Sequence, residues 1–273
     1  MTPAPVWILA GVRTPFAKAG SVLRRTPVYE LGRAATAELL ARQDIDPGRL
    51  DEVIFGNCGN PAEAANVARI TALLAGVPEP VPAVSVHRNC ASGMEAVAAA
   101  AYRIQAGAAR LVLAGGMESM SNMPLLFTSA YAGWLEGLLR AKTPVQKLGV
   151  LARFRPGMLA PRIALAEGLT DYVCGLNMGQ TAEVLSREFR VSRLEQDRFA
   201  LESHQRAVAA RERLREEIAP IFPAPGYEMV RDDVGPREGQ TLEALAKLKP
   251  YFYRKNGTVT VGNACQVTDG AVA

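Results

Sequence analysis

Short apolar runs alternate with segments of helical spacing through the first 116 residues. Four to eight apolar residues between turn signals are typical of buried strands, and apolar residues three or four apart are typical of helices. The predicted strands are 6–11, 52–56, 83–86 and 111–114, and the predicted helices are 31–40, 66–74 and 92–105. Strands that alternate with helices favour a mostly parallel sheet covered on both faces. The predicted fold class is therefore α/β.

This alternation stops near residue 117, and up to residue 250 the chain shows helical spacing with few strand patterns. Helices are predicted over 181–189 and 192–213. Ser192 and Glu195 have the spacing of a capping box, which marks the start of the second of these helices. The pattern thus predicts an inserted, mainly helical domain. Strand character returns at 257–266, and the ending VTDGAVA predicts a turn into another helix.

Composition and charge exclude several classes of protein. The chain has 273 residues, of which 49% are hydrophobic and 21% charged, with a formal net charge of +4. These values are typical of a folded domain and unlike a disordered chain. No dense Lys/Arg stripe with interleaved aromatic residues is present, so nucleic acid is not an expected partner. The N-terminus lacks the basic and apolar regions of a signal peptide, and we predict a cytoplasmic location.

Four cysteines are spread along the chain without a CxxC pair, so we expect neither a disulfide framework nor a metal site. They are Cys58, Cys90, Cys174 and Cys265. Cys90, in HRNCASGMEAV, lies between a predicted strand and the predicted helix 92–105. The unpaired amide groups and positive dipole end of a helix start favour a thiolate. Cys90 is therefore a candidate nucleophile, and the alternative is a small buried core residue.

A nucleophilic cysteine usually needs a base, and the chain offers two histidines. His87 comes three residues before Cys90 and is expected to point along or away from the crevice at the strand ends. His204 lies within LESHQRA, where an exposed helical histidine is the favoured interpretation. The sequence thus provides a plausible nucleophile and no convincing partner for it.

Five motifs occur in an order that resembles the thiolases, the acetyl-CoA acyltransferases. They are HRNCASGMEAV, LVLAGGMESMSNMPLL, NMGQTAE, VSRLEQDRFALESHQRA and GTVTVGNACQVTDGA. The resemblance implies two similar α/β halves, with a loop domain inserted into the first. It places residues 1–117 and 251–273 in the N-terminal half and residues 118–250 in the loop domain, with the C-terminal half absent. PAEAANVAR and SRLEQD resemble the trifunctional-protein β-subunit type of 3-ketoacyl-CoA thiolase, whereas NCASGM and the ending GNACQVTDG also resemble acetoacetyl-CoA thiolases.

The resemblance implies that Cys90 takes up the acyl group, with coenzyme A or acetyl-CoA as substrate and no tightly bound cofactor. It also implies a set of coenzyme A contacts: Met178, Arg237, Ala244, Leu248, Phe252, Val261 and Cys265. Ala244 and Cys265 stand where the family often has serine. Asn177 stands where many biosynthetic thiolases have histidine, which indicates a different acyl-chain preference.

Thiolases also use a histidine in a GHP motif, an asparagine in an NEAF-like motif and a cysteine in a CxG motif. None of these motifs occurs in this sequence. The chain is therefore expected to be a piece of a longer enzyme or to be completed by a second polypeptide, and to show little turnover alone. A non-catalytic CoA-binding or structural subunit is the alternative. A ketosynthase is disfavoured by NMGQTAE and SRLEQD. The family further implies a homo-oligomer, either a dimer or a tetramer.

Residues 133–165 mix basic side chains with large apolar ones. A basic amphipathic segment can lie on an anionic membrane, so peripheral membrane contact is one interpretation. The favoured interpretation is a loop-domain surface over the acyl site and a partner subunit, because basic faces are usually only solvated.

Overall fold

The computed structural model describes residues 5–273. It contains seven strands within that range: β1 (Ala17–Lys18), β2 (Glu52–Gly56), β3 (Ala83–Val86), β4 (Val112–Ser119), β5 (Leu125–Leu126), β6 (Arg162–Ile163) and β7 (Thr268–Val272). The α-helices of the same range are α1 (Val28–Arg42), α2 (Val67–Leu74), α3 (Ser92–Gln105), α4 (Ser129–Arg140), α5 (Pro144–Leu151), α6 (Ala164–Gly168), α7 (Met178–Glu188), α8 (Arg193–Ala209), α9 (Arg211–Leu214) and α10 (Leu242–Ala246).

The main sheet has the strand order β1-β7-β4-β2-β3. Strand β2 pairs in parallel with both β3 and β4, and Val53 lies between Ala83 and Leu113. Strand β7 runs antiparallel between β4 and β1. Strands β5 and β6 form a separate antiparallel pair. The predicted α/β class with a mostly parallel sheet is confirmed.

Helices cover both faces of the parallel strands. Successive side chains of a strand point to opposite faces, so both sets of side chains pack against helices. Phe55 of β2 packs into the larger core with residues of α1 and α2. Its neighbour Ile54 points the other way and packs against Ala96 and Ala100 of α3. The run EVIFG is apolar on both faces for this reason, which is typical of a parallel strand buried in the middle of a sheet.

Helix α3 lies very close to the sheet at its first turn, where glycines leave room for backbone contact. A Cβ atom built on Gly56 would lie 2.2 Å from the carbonyl carbon of Ser92 and 2.5 Å from the amide nitrogen of Gly93. A Cβ atom on Gly116 would lie 3.1 Å from the Cα atom of Gly93. The start of this helix is thus held by contacts that only glycine permits.

We expect the substitution Gly56→Ala to lower the free energy of unfolding by about 2 to 3 kcal/mol, because an added methyl group must displace backbone rather than a flexible side chain. Chemical denaturation would measure the loss. Gly226→Ala is the matched control, since a Cβ atom there meets only the end of Glu228 at 4.0 Å. Equal unfolding midpoints for the two variants would contradict the close-packing explanation.

The predicted strand over 6–11 is wrong. The structure has no strand over these residues, and Trp7, Ile8 and Leu9 are 77%, 84% and 73% exposed. Val12 exchanges two backbone hydrogen bonds with Ala273, each 2.9 Å long. Within residues 5–273, no backbone hydrogen bond joins residues 6–11 to another segment, and an apolar run without a pairing partner does not form a strand.

The two predictions for the end of the chain are also wrong. Residues 257–266 contain no strand and turn at 261–263, because the Asn263 side chain accepts the Thr260 amide at 2.7 Å and the Thr260 hydroxyl accepts the Gly262 amide at 3.1 Å. Residues 267–273 contain strand β7 instead of the start of a helix. Gly115 of β4 makes this pairing possible, since a Cβ atom there would lie 2.1 Å from the carbonyl oxygen of Val272.

The predicted capping box is confirmed, with Ser192 and Glu195 each receiving the other's backbone amide at the start of α8. The helix predicted over 192–213 is divided at Ala210 into α8 and α9. The helix predicted over 92–105 has the bounds of α3, and the strands predicted over 52–56 and 83–86 have those of β2 and β3. Local pattern was therefore sufficient where the chain is apolar and regularly spaced.

The described chain divides into two compact units. One contains the residues up to Asn122 together with Ala182–Ala273, and the other contains Met123–Thr181. The division of the domains at 1–117, 118–250 and 251–273 stays a prediction from the resemblance. Among the described residues, the structure contains no helix with the length and apolar character needed to cross a bilayer.

Candidate functional site

Cys90 lies in an exposed loop that joins β3 to α3. The residue before it, Asn89, has a φ of 47°, in the left-handed region that asparagine tolerates better than most residues. Helix α3 begins at Ser92, and no side chain caps its first turn. The sulfur is therefore accessible beside a helix start that no side chain caps, where the Ala91 and Ser92 amides donate to the Arg88 and Asn89 carbonyl oxygens at 3.0 Å each.

Ser92 ties this loop together from the helix side. Its hydroxyl donates to the Asn89 carbonyl oxygen at 2.6 Å and accepts the Arg88 amide at 2.8 Å. Ser92 is itself buried. One hydroxyl thus supports two backbone groups on either side of the bend that precedes Cys90.

Cys58, two residues after the end of β2, supports the same bend. Its Sγ atom donates to the Asn89 carbonyl oxygen at 2.8 Å and lies 3.5 Å from the Ser92 hydroxyl. Burial raises the pKa of the Cys58 thiol, the Ser92 hydrogen bond acts in the opposite direction, and the nearby charge of Glu118 raises it further. Cys58 is consequently a protonated, hydrogen-bonding thiol.

Glu118, near the end of β4, holds the segment that carries Cys58. Its carboxylate accepts the backbone amide of Cys58 at 2.8 Å, that of Gly59 at 3.1 Å and the side-chain amide of Asn57 at 3.0 Å. Three N–H donors on one carboxylate fix the turn after β2, because hydrogen bonds to a charged acceptor are the stronger ones.

Neither histidine is placed as a base for Cys90 by a hydrogen bond. The Nδ1 atom of His87 accepts the Asn89 amide at 3.3 Å. The Nδ1 atom of His204 accepts the Arg237 amide at 3.2 Å. His204 is half-buried rather than exposed, because the chain near Arg237 packs beside it.

Two of the predicted coenzyme A contacts lie on segments that pack together. Leu248 lies against Gly262, next to Val261, since a Cβ atom on Gly262 would be 2.4 Å from the Leu248 Cδ1 atom. Arg193 holds the Leu248 segment by donating to the carbonyl oxygens of Leu245 at 2.6 Å and Leu248 at 3.0 Å. Val261 is exposed and therefore available to a ligand.

Two buried carboxylates anchor the segment that carries Val261. Glu183 is 2% exposed and accepts the amides of Thr258 at 2.9 Å and Val259 at 2.9 Å. Asp197 accepts the Asn263 side-chain amide at 2.9 Å and the Arg193 guanidinium at 2.7 Å. These hydrogen bonds take the place of the strand pairing that the alternating apolar residues of GTVTV predict.

The other predicted coenzyme A contacts lie on several separate segments of the chain. Ala244 lies in the short helix α10, Phe252 packs edge-on against Tyr251, and Arg237 and Cys265 are exposed. Met178 is half-exposed and belongs to the unit Met123–Thr181. Across residues 5–273, no hydrogen bond joins the Cys90 loop to residues 237–265. The roles of all seven predicted residues as coenzyme A contacts stay predictions from the resemblance.

Sequence reasoning missed the supports of the Cys90 loop, namely Cys58, Asn89, Ser92 and Glu118. In the sequence, Cys58 follows the predicted strand 52–56 by two residues, and that position alone indicates no contact with the Cys90 loop. One signal was present for Glu118, because a carboxylate that ends the apolar run LVLAGGM needs partners for its charge. The left-handed conformation of Asn89 and the donors to its carbonyl oxygen depend on contacts between segments far apart in sequence.

The chain matches a known protein family over nearly its whole length. The profile described as "Thiolase, N-terminal domain" matches residues 6–273. A 3-ketoacyl-CoA thiolase of Yersinia enterocolitica is 37% identical over 268 residues, which cover 97% of this chain and 61% of that protein. One from Pectobacterium carotovorum is 38% identical over 267 residues, covering 97% of this chain and 60% of that protein. The chain thus spans about six tenths of the length of these curated relatives.

Solved structures show the same similarity. The crystal structure of the Bacillus anthracis acetyl-CoA acetyltransferase superposes with a TM-score of 0.82 at 35% identity, covering 96% of this chain and 63% of that one. Human mitochondrial 3-ketoacyl-CoA thiolase in complex with CoA gives a TM-score of 0.81 at 32% identity, covering 96% of this chain and 62% of that one.

Proposed function

Because the chain belongs to the thiolase family, as its N-terminal domain, we propose that Cys90 is the nucleophile of an acyl transfer between CoA thioesters. The observation that carries this proposal is the exposed Cys90 sulfur at the uncapped start of α3. A thiolate at this position attacks the thioester carbonyl carbon, and the bond to the CoA sulfur breaks. The acyl group is then held on Cys90 as a thioester, and CoA leaves as its thiolate.

The helix start supplies the electrostatic part of this reaction. The carbonyl oxygen gains negative charge during attack, and backbone amides held in advance stabilise such an oxyanion. Glycine contacts and the buried Ser92 hold the first turn of α3 in place. We therefore include backbone amides of this turn in the proposed oxyanion site.

The proposed substrates are acetyl-CoA and acetoacetyl-CoA or 3-ketoacyl-CoA. This follows the printed names of the relatives, which are 3-ketoacyl-CoA thiolases, and of the neighbouring structure, which is an acetyl-CoA acetyltransferase. Coenzyme A is a substrate in this scheme and not a resident cofactor. The residues proposed to contact it remain those of the resemblance, among which Leu248 and Val261 have a shared, anchored environment.

We further propose that a C-terminal half, in the same polypeptide or a second one, completes the site. The outer face of α3 supports this, because large apolar side chains lie in solvent there, with Met94 78% and Tyr102 69% exposed. Apolar surface of this kind is typical of a contact region. A dimer or tetramer of the completed chain, a loop domain over 118–250 and a cytoplasmic location belong to the same proposal. Cysteines without disulfide partners agree with a reducing compartment.

The test is mass spectrometry of the completed enzyme after treatment with acetyl-CoA. We expect an acetyl adduct on the peptide that contains Cys90, because the acyl-enzyme forms by exchange of one thioester for another. The isolated chain, treated in parallel, is expected to show no steady turnover, since no histidine is positioned as a base. Absence of an adduct on Cys90, combined with tight CoA binding, would instead support a non-catalytic CoA-binding subunit.

A further inference from the structure

A second thiol, that of Cys58, donates a hydrogen bond to the loop that carries the proposed nucleophile. We propose that Cys58 is a positioning residue for Cys90, holding the Asn89 carbonyl oxygen through its S–H group so that the left-handed bend presents the Cys90 sulfur. The inference rests on the proposed function only in naming Cys90 as the nucleophile.

The bend needs support because a left-handed residue other than glycine is unfavourable and persists only where its surroundings hold it. Asn89 has a φ of 47°. Its carbonyl oxygen receives three donors: the Ser92 hydroxyl at 2.6 Å, the Ser92 amide at 3.0 Å and the Cys58 thiol at 2.8 Å. Ser92 belongs to the helix that follows the bend, so Cys58 is the donor that ties the bend to the sheet.

Cys58 can act in this way because it is fixed on its other side. Its backbone amide donates to Glu118 at 2.8 Å, and the neighbouring Gly59 amide donates to the same carboxylate at 3.1 Å. A continuous chain of contacts therefore runs from β4 through Glu118 and Cys58 to Asn89, the residue before the nucleophile. The raised pKa of the Cys58 thiol keeps its proton in place, so the group remains a donor.

The experiment compares Cys90 alkylation in Cys58→Ala, Cys58→Ser and the unmodified chain. Iodoacetamide is the probe, and mass spectrometry of the Cys90 peptide gives its rate across neutral to alkaline pH. We expect Cys58→Ala to slow alkylation of Cys90 about fivefold near neutral pH, the equivalent of one lost hydrogen bond. Cys58→Ser is expected to restore most of the rate, because a hydroxyl can donate to the same carbonyl oxygen.

Cys174→Ala is the matched control, since this exposed cysteine lies in the unit Met123–Thr181, and it should leave the rate unchanged. Should Cys58→Ala fail to fold by circular dichroism, Cys58→Val replaces it, because valine fills a similar volume without donating. Rate–pH curves that superpose for the unmodified chain and the folded apolar variant would overturn the inference, as would a serine variant as slow as the apolar one.

The readout separates this inference from the proposed function, because alkylation requires neither CoA nor the C-terminal half. A Cys58 effect on alkylation without an acetyl adduct on Cys90 would support the positioning role and remove the acyl-transfer proposal. An acetyl adduct on Cys90 with no effect of Cys58 on alkylation would support the acyl-transfer proposal and overturn the positioning role.

Discussion

Replacing Cys90 with serine is expected to lower kcat/KM of the completed enzyme by about four orders of magnitude. A serine hydroxyl stays protonated at neutral pH and is a much weaker nucleophile toward a thioester than a thiolate. The fold should be unaffected, because Cys90 is exposed and lies before the first turn of α3. Initial rates of acetoacetyl-CoA consumption, measured at saturating free CoA, would give the loss.

Cys174→Ser is the control for this change. Cys174 is also an exposed thiol but lies in a loop of the other compact unit, next to Asp171. Its replacement is expected to leave kcat/KM within about twofold, as for most exposed positions outside a site. A Cys90→Ser enzyme that retained a tenth or more of the activity would remove Cys90 from the role of nucleophile.

The substitution Glu183→Ala is expected to lower the free energy of unfolding by about 3 to 5 kcal/mol. The carboxylate is buried and accepts the amides of Thr258 and Val259 together with the Thr258 hydroxyl. Alanine would leave the buried Val259 amide and the half-buried Thr258 donors without this acceptor and would also leave a cavity. Equilibrium denaturation would measure the change, and hydrogen exchange at residues 258–259 would locate it.

Glu188→Ala on the same helix is the matched control, because Glu188 is exposed and should change stability by less than about 0.5 kcal/mol. Glu183→Gln should be intermediate, since the amide keeps one acceptor oxygen and most of the volume. If Glu183→Ala were as stable as the Glu188 variant, the segment 257–263 would not depend on this carboxylate. Because that segment carries Val261, we expect the Glu183 variants to weaken CoA binding as well.

The predicted elements that proved correct share one property, which is that their signal is local. The run EVIFG and the segment 92–105 have the spacing of a buried strand and of a helix, and they adopt those structures. The capping box at Ser192 also depends on two side chains three residues apart. Local patterns of this kind indicate which faces of a strand or helix must be buried. Any α/β packing that buries those faces is compatible with the pattern.

The elements that were predicted wrongly depend on a distant partner. Residues 268–272 become a strand because β4, about 150 residues earlier in the chain, offers an edge that Gly115 leaves open. Residues 6–11 are apolar but pair with no other described backbone, and Trp7, Ile8 and Leu9 stay exposed. Residues 257–266 form no strand because buried carboxylates from α7 and α8 accept the Val259 backbone amide and the Asn263 side-chain amide.

The amino-acid sequence by itself determined the α/β class, the family and the position of Cys90 before a helix, since these follow from apolar spacing and from the order of motifs. Only the tertiary structure decided how Cys90 is presented. The donors to the Asn89 carbonyl oxygen come from two elements, Cys58 after β2 and Ser92 in α3, and the Glu118 carboxylate that fixes Cys58 comes from a third, β4. Hydrogen bonds between segments that are distant in sequence exist only once the sheet has brought those segments together.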